Sequence, residues 1–95
     1  MQFNTETEKE AEVLYIDDIL GSSSLILFND DVNTFDWVIE CLIELCKHTV
    51  EQSEQCALIV HYRGKCKVKS GKYSELEKIC QSLLSRGLSA TIENK

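Results

Sequence analysis

The order of apolar patterns in this 95-residue chain predicts an α+β domain: a three-stranded antiparallel sheet with three helices on one face, in the order β-α-α-β-α-β. Three observations carry that prediction. A short continuous apolar run, Leu25-Ile26-Leu27-Phe28, reads as a buried strand. Three later segments place apolar residues at helical spacing. Two others alternate apolar and polar side chains, as a strand with one wet face does.

The first helix follows from Phe35, Val38, Ile39, Leu42, Ile43 and Cys46, and ends near Lys47-His48. Asn33 is its expected N-cap, with Asp36 and Glu40 favourable to the helix dipole. Thr49-Val50-Glu51-Gln52 has the capping-box pattern and opens a second helix carrying Cys56, Ala57, Ile59 and Val60, which stops between His61 and Gly64. Lys65-Cys66-Lys67-Val68-Lys69 is a strand whose lysines blunt a sheet edge, and Ser70-Gly71 is read as the turn after it. Tyr73, Leu76, Ile79, Cys80, Leu83 and Leu84 define the third helix, closed by Arg86 and Gly87. Leu88, Ala90 and Ile92, alternating with Ser89, Thr91 and Glu93, give the last strand. No internal repeat is present.

Charge divides the chain. The net charge is −6, and residues 1–23 hold six carboxylates against Lys9 alone. The boundaries expected are therefore a flexible acidic extension over 1–23 and a core domain over 24–95. Within the extension, residues 1–12 read as disordered and Val13-Leu14-Tyr15-Ile16 as a short apolar island. Gly21-Ser22-Ser23-Ser24 reads as a hinge. The nearly neutral core offers no electrostatic case for nucleic acid. No apolar run is long enough to span a bilayer and no signal segment opens the chain, so a cytoplasmic monomer without membrane contact is expected. The five cysteines, at 41, 46, 56, 66 and 80, fit neither a disulfide framework nor a zinc site by spacing, and read as small apolar side chains.

The junction after the first strand, Asn29-Asp30-Asp31, sets three acceptor side chains where a helix is about to begin. Such a cluster suits a turn and cap, or a cation such as a metal, a lysine or an ammonium group. His48 reads as a partner for the C-terminal dipole of the first helix, and His61 as a lone histidine near the end of the second. Trp37 lies off the main apolar stripe, where a partner surface would use it. Lys65, Lys67, Lys69 and Lys72 form a small basic stripe. Neither a nucleophile–base pair nor a glycine-rich phosphate loop is visible, so nothing argues for an enzyme or a cofactor.

Leu27-Phe28-Asn29-Asp30-Asp31 leading into an amphipathic helix, followed by Val60-His61-Tyr62-Arg63-Gly64-Lys65, resembles the Clp protease adaptor family ClpS over about residues 24–93. That resemblance implies a non-enzymatic adaptor that binds N-degron polypeptides beginning with Leu, Phe, Tyr or Trp. It would deliver them to a Clp AAA+ unfoldase of the ClpA or ClpC type with its ClpP peptidase. By position it implies that Asn29, Asp31 and His61 contact the substrate α-amine, with Asp30 at the pocket mouth. Phe28, Asn33, Phe35, Val38, Ala57 and Val60 would line the hydrophobic pocket. Lys72, Glu75 and Lys78 mark the region expected to meet the ATPase. Asn33-Thr34-Phe35 stands where the family often has Thr-Pro-Met, and Ala57 where a larger side chain is common, which implies a reshaped pocket. The alternative reading is a general protein-interaction domain of ribosomal stalk-protein-like topology, without amine recognition. It leaves Asn29, Asp31 and His61 without a shared purpose.

Overall fold

The computed structural model describes residues 23–94. The acidic stretch 1–12 and the island 13–16 lie outside them. Six elements follow in order: β1 (Ser23–Phe28), α1 (Phe35–Cys46), α2 (Val50–Arg63), β2 (Lys65–Gly71), α3 (Tyr73–Ser85) and β3 (Ser89–Asn94). The sheet order is β2-β1-β3, with β1 antiparallel to both neighbours and the three helices on one face. This is the α+β architecture expected.

The most apolar strand is the central one, where both edges are paired and neither reaches water. Leu25 and Leu27 of β1 are fully buried and meet Leu42 of α1, Val60 of α2, and Leu76 and Leu83 of α3. Burying a leucine side chain contributes about 1.5–3 kcal/mol, so this small group dominates cohesion between the layers.

Local signals set the helix ends. Thr34, not Asn33, caps α1: its side chain accepts from the backbone N–H of Trp37 at 3.1 Å. Asn33 is withdrawn because its side-chain amide is bound elsewhere. The capping box at the start of α2 is complete, with Gln52 N–H donating to Thr49 Oγ1 at 3.1 Å and Thr49 N–H to Gln52 Oε1 at 2.9 Å. Gly64 ends α2 at φ 91°, a left-handed conformation that disfavours a Cβ. Its carbonyl then accepts from Asn29 N–H at 2.9 Å, tying the end of β1 to the end of α2.

Two short-range expectations shift. Ser23 and Ser24, half of the stretch read as a hinge, belong to β1, and Ser70-Gly71 belongs to β2 instead of forming a turn. Each extends the other: Ser23 pairs with Gly71 and Ser24 with Ser70, while Ser23 Oγ donates to Asn94 Oδ1 at 2.9 Å. Ladder bonds outweigh the weak strand preference of Ser and Gly here.

In β2 the register slips: Leu25 pairs with Lys69 but Ile26 with Lys67, leaving Val68 as the extra residue of a bulge. Its carbonyl accepts from His48 Nε2 at 2.6 Å, and Lys69 Nζ donates to Cys46 O, the last carbonyl of α1, at 3.3 Å. The side chain serving the end of α1 is therefore Lys69, and His48 is a strut to β2 instead of a dipole partner.

Candidate functional site

The link from Asn29 N–H to Gly64 O brings together the two segments singled out in the sequence. Between them lies an open cavity of about 450 Å³, within the range typical of ligand pockets. Its polar rim is formed by Asn29, Asp30, Asp31, Asn33 and His61, and its apolar wall by Phe35, Val38, Ala57 and Val60. Phe28 does not reach this cavity. It borders a small adjoining recess with Asn29, Asp30, Asn33, Val38 and Val60, which also line the cavity.

Within the rim, two adjacent carboxylates have different duties. Asp30 Oδ1 accepts from the backbone N–H groups of Val32 at 3.0 Å and Asn33 at 2.9 Å. Asn33 Nδ2 reaches both carboxylate oxygens, at 3.0 and 2.9 Å, and also donates to Gly87 O at 2.8 Å. These donors, the Asn33 backbone N–H foremost, hold the Asp30 carboxyl below its ordinary range. Asp30 and Asn33 thus staple the loop to the α3–β3 turn. Only a residue at ease with positive φ suits Gly87, which sits at φ 88°.

Asp31 is exposed and makes no hydrogen bond or ion pair among the described residues. The Asn29 and His61 side chains are likewise exposed and without hydrogen bonds there; His61 only stacks edge-on with Tyr62, centroids 5.0 Å apart. Two acceptors and an imidazole therefore face one apolar cavity with their polar atoms open. Asp30 has its lone pairs occupied, and among the described residues no group of three His, Cys, Asp or Glu side chains could hold a metal ion.

Trp37 is anchored, not presented: its Nε1–H donates to Arg86 O at 3.2 Å, and the Arg86 guanidinium lies over the indole, 6.0 Å from its centroid. Arg86 also forms a bidentate pair with Glu44 at 2.7 and 3.0 Å. Lys72 caps α3 by position, with Glu75 and Lys78 exposed on its first turns. The Asn33–Gly87 contact was missed in the sequence, although the Asp30–Asn33 spacing is that of a side chain capping its own turn. No helix among the described residues is long and apolar enough to cross a membrane.

Fold and site together define a small α+β domain with a preformed surface cavity, polar at the rim and apolar within. The model of the family described as "ATP-dependent Clp protease adaptor protein ClpS" matches residues 22–91, and the chain belongs to that family. Two curated ATP-dependent Clp protease adapter proteins ClpS, from Campylobacter jejuni subsp. jejuni serotype O:23/36 and from C. jejuni subsp. doylei, are each 42% identical to it over 40 residues. Each match spans 42% of this chain and 42% of the relative's length. Among solved structures, Agrobacterium tumefaciens ClpS2 bound to L-phenylalaninamide superposes with a TM-score of 0.74 at 18% identity, covering 77% of this chain and 95% of that one. At that identity the likeness speaks to the fold.

Proposed function

We propose that this chain is a non-enzymatic adaptor that captures polypeptides by a free N-terminus carrying a bulky hydrophobic side chain, and hands them to a Clp AAA+ ATPase with its peptidase. One observation carries the reading: open acceptors at Asn29 and Asp31, together with His61, line the same cavity as Phe35, Val38, Ala57 and Val60. An α-amine has a pKa of about 7.7–8.0, so near neutrality its charge and three donors distinguish it from every internal peptide nitrogen. Asp31 supplies the opposite charge, offsetting the partial positive charge at the start of α1 that would repel ammonium. Asn29 accepts a second N–H, and His61 accepts through an unprotonated ring nitrogen.

The side chain enters between Ala57 and Val60, both buried, and Phe35, which is 41% exposed at the rim. Burial of a Leu or Phe there contributes about 1.5–3 kcal/mol. A ring at the rim with a small Ala57 opposite gives a reshaped pocket that still takes Leu, Phe, Tyr or Trp. The ligand described for the A. tumefaciens protein, an amino acid amide with a free amine, an aromatic side chain and an amide carbonyl, has the chemistry proposed here. The surface offered to the ATPase is the start of α3, at Lys72, Glu75 and Lys78. With the cost of association included, binding on the order of micromolar is expected.

The test is titration of labelled peptides beginning with Leu or Phe, free and N-acetylated. Acetylation removes the charge and two of the three donors, so it should abolish binding; equal affinity for both forms would refute the reading. Affinity should also fall as pH rises past the amine's pKa, because only the ammonium form is recognised.

A further inference from the structure

The two outer strands of the sheet are unlike as edges. β2 carries the bulge at Val68 and exposed lysines at Lys65 and Lys67, features that discourage pairing with a further strand. β3 has no lysine, proline or bulge, and among the described residues nothing pairs with its outer side. The direction of its free backbone groups follows from β1. Asn29 N–H points toward the β2 side, where it donates to Gly64 O. Alternation therefore turns the backbone groups of Ser24, Ile26 and Phe28 toward β3, where they pair with Glu93, Thr91 and Ser89. The N–H and C=O groups of Ala90 and Ile92, between those residues, face outward.

Beside that edge runs a groove of about 260 Å³ between α3 and β3, whose lining includes Tyr73, Glu77, Cys80, Leu84, Ala90 and Ile92. Tyr73 and Leu84 are 44% and 43% exposed, large apolar side chains that the described residues leave uncovered. Ala90 and Ile92 pair with Leu27 and Leu25, so their side chains lie on the helix side of the sheet. An extended segment laid along β3 gains backbone hydrogen bonds at the edge and sets alternate side chains into the groove.

We propose that Val13-Leu14-Tyr15-Ile16 of this same chain is that segment, docking as a fourth strand parallel to β3 and bonded to Ala90 and Ile92. Reach supports it. β1 begins at Ser23, opposite Asn94, so the chain before it leaves the sheet at the C-terminal end of β3. The outer side of β3 is two strand spacings from β1, roughly 10 Å, and residues 17–22 extend to at most about 20 Å. Gly21 and Ser22 lie in this link, where the chain has to reverse. Composition supports it as well. The island is an uncharged run of strand-forming side chains bounded by Glu12 and Asp17. Glu77 lines the groove and Glu93 follows Ile92, so an acidic segment would be repelled there. The same carboxylates oppose Glu12 and Asp17 at the ends of the island, and salt should therefore strengthen the docking.

The experiment is amide hydrogen exchange, read by NMR on the full chain at two protein concentrations and with rising salt. The comparison is a variant carrying Val13→Ser, Leu14→Ser, Tyr15→Ser and Ile16→Ser together. The Ala90 and Ile92 amides should be protected at least about tenfold more in the wild type than in the variant, and more strongly as salt rises. The Leu27 amide, inside the sheet, should be equally protected in both chains and so reports that the variant is folded. Free exchange at Ala90 and Ile92 in the wild type would overturn the proposal. Protection that persists in the variant would also overturn it, and protection that grows with protein concentration would assign the edge to a second copy instead.

Discussion

The two ends of α1 treat polar groups in opposite ways. At the C-terminal end, the carbonyls of Cys46 and Val68 are matched by Lys69 Nζ and His48 Nε2 from other parts of the chain. At the N-terminal end, Asn29, Asp31 and His61 have open polar atoms around a cavity. The carbonyls at the first end find donors within the fold, while His48 Nδ1 stays buried without a hydrogen bond among the described residues; at the second end the polar atoms are exposed and open. Asp30 and Asp31 repeat the contrast at adjacent positions, one saturated by backbone donors and the other exposed.

Breaking each end should have separable consequences. His48→Ala leaves the Val68 carbonyl without its donor, and is expected to lower stability by about 1–3 kcal/mol in denaturant titration. Peptide affinity should be unchanged; weakened binding would mean that the two ends are coupled. Asp31→Ala is the mirror image. It should weaken binding of a Leu- or Phe-initiated peptide at least about tenfold, roughly 1.4 kcal/mol, with no fall in melting temperature. Undiminished affinity would place the amine elsewhere.

Asn33→Ala touches both sides, because Asn33 lines the cavity and also donates to Asp30 and Gly87. A stability loss of about 1 kcal/mol is expected, together with a severalfold rise in peptide Kd. A change in only one of the two would assign Asn33 to that role alone. The smallest effect concerns acid. Asp30 has its carboxyl held below the ordinary value of 3.8, so the stability it contributes is fully present above that value. That contribution is lost as pH falls through the lower native value. The melting-temperature gap between wild type and Asp30→Ala should therefore stay constant near neutrality and close only below about pH 4. A gap that closes at higher pH would show that the staple does not depend on the carboxylate.

Much of this was legible in the sequence, for a physical reason. The capping box at Thr49–Gln52, the stop at Gly64 and the helical spacing in α1 and α3 depend on residues a few positions apart, and short-range geometry fixes them whatever the rest of the chain does. The buried run Leu25–Leu27 likewise identified the central strand. The loop residues Asn29-Asp30-Asp31 announced a polar junction, though not that Asp30 would be consumed by Asn33 while Asp31 stayed open. Phe28 lines a small recess next to the cavity and not the cavity itself, a distinction that an apolar run does not reveal.

Contacts between distant positions were decided by tertiary structure alone. Asn33 on Gly87 O, Trp37 on Arg86 O and His48 on the Val68 carbonyl join residues 54, 49 and 20 positions apart, and no local preference encodes them. The bulge at Val68 belongs with them, since it exists only where β1 and β2 meet. Sequence alone determined the elements, the capping box and glycine stop of α2, and a polar loop beside an apolar helix. The packing of those elements decided which polar atoms found partners within the fold and which were left facing the cavity, because that depends on register and on where each chain end is held.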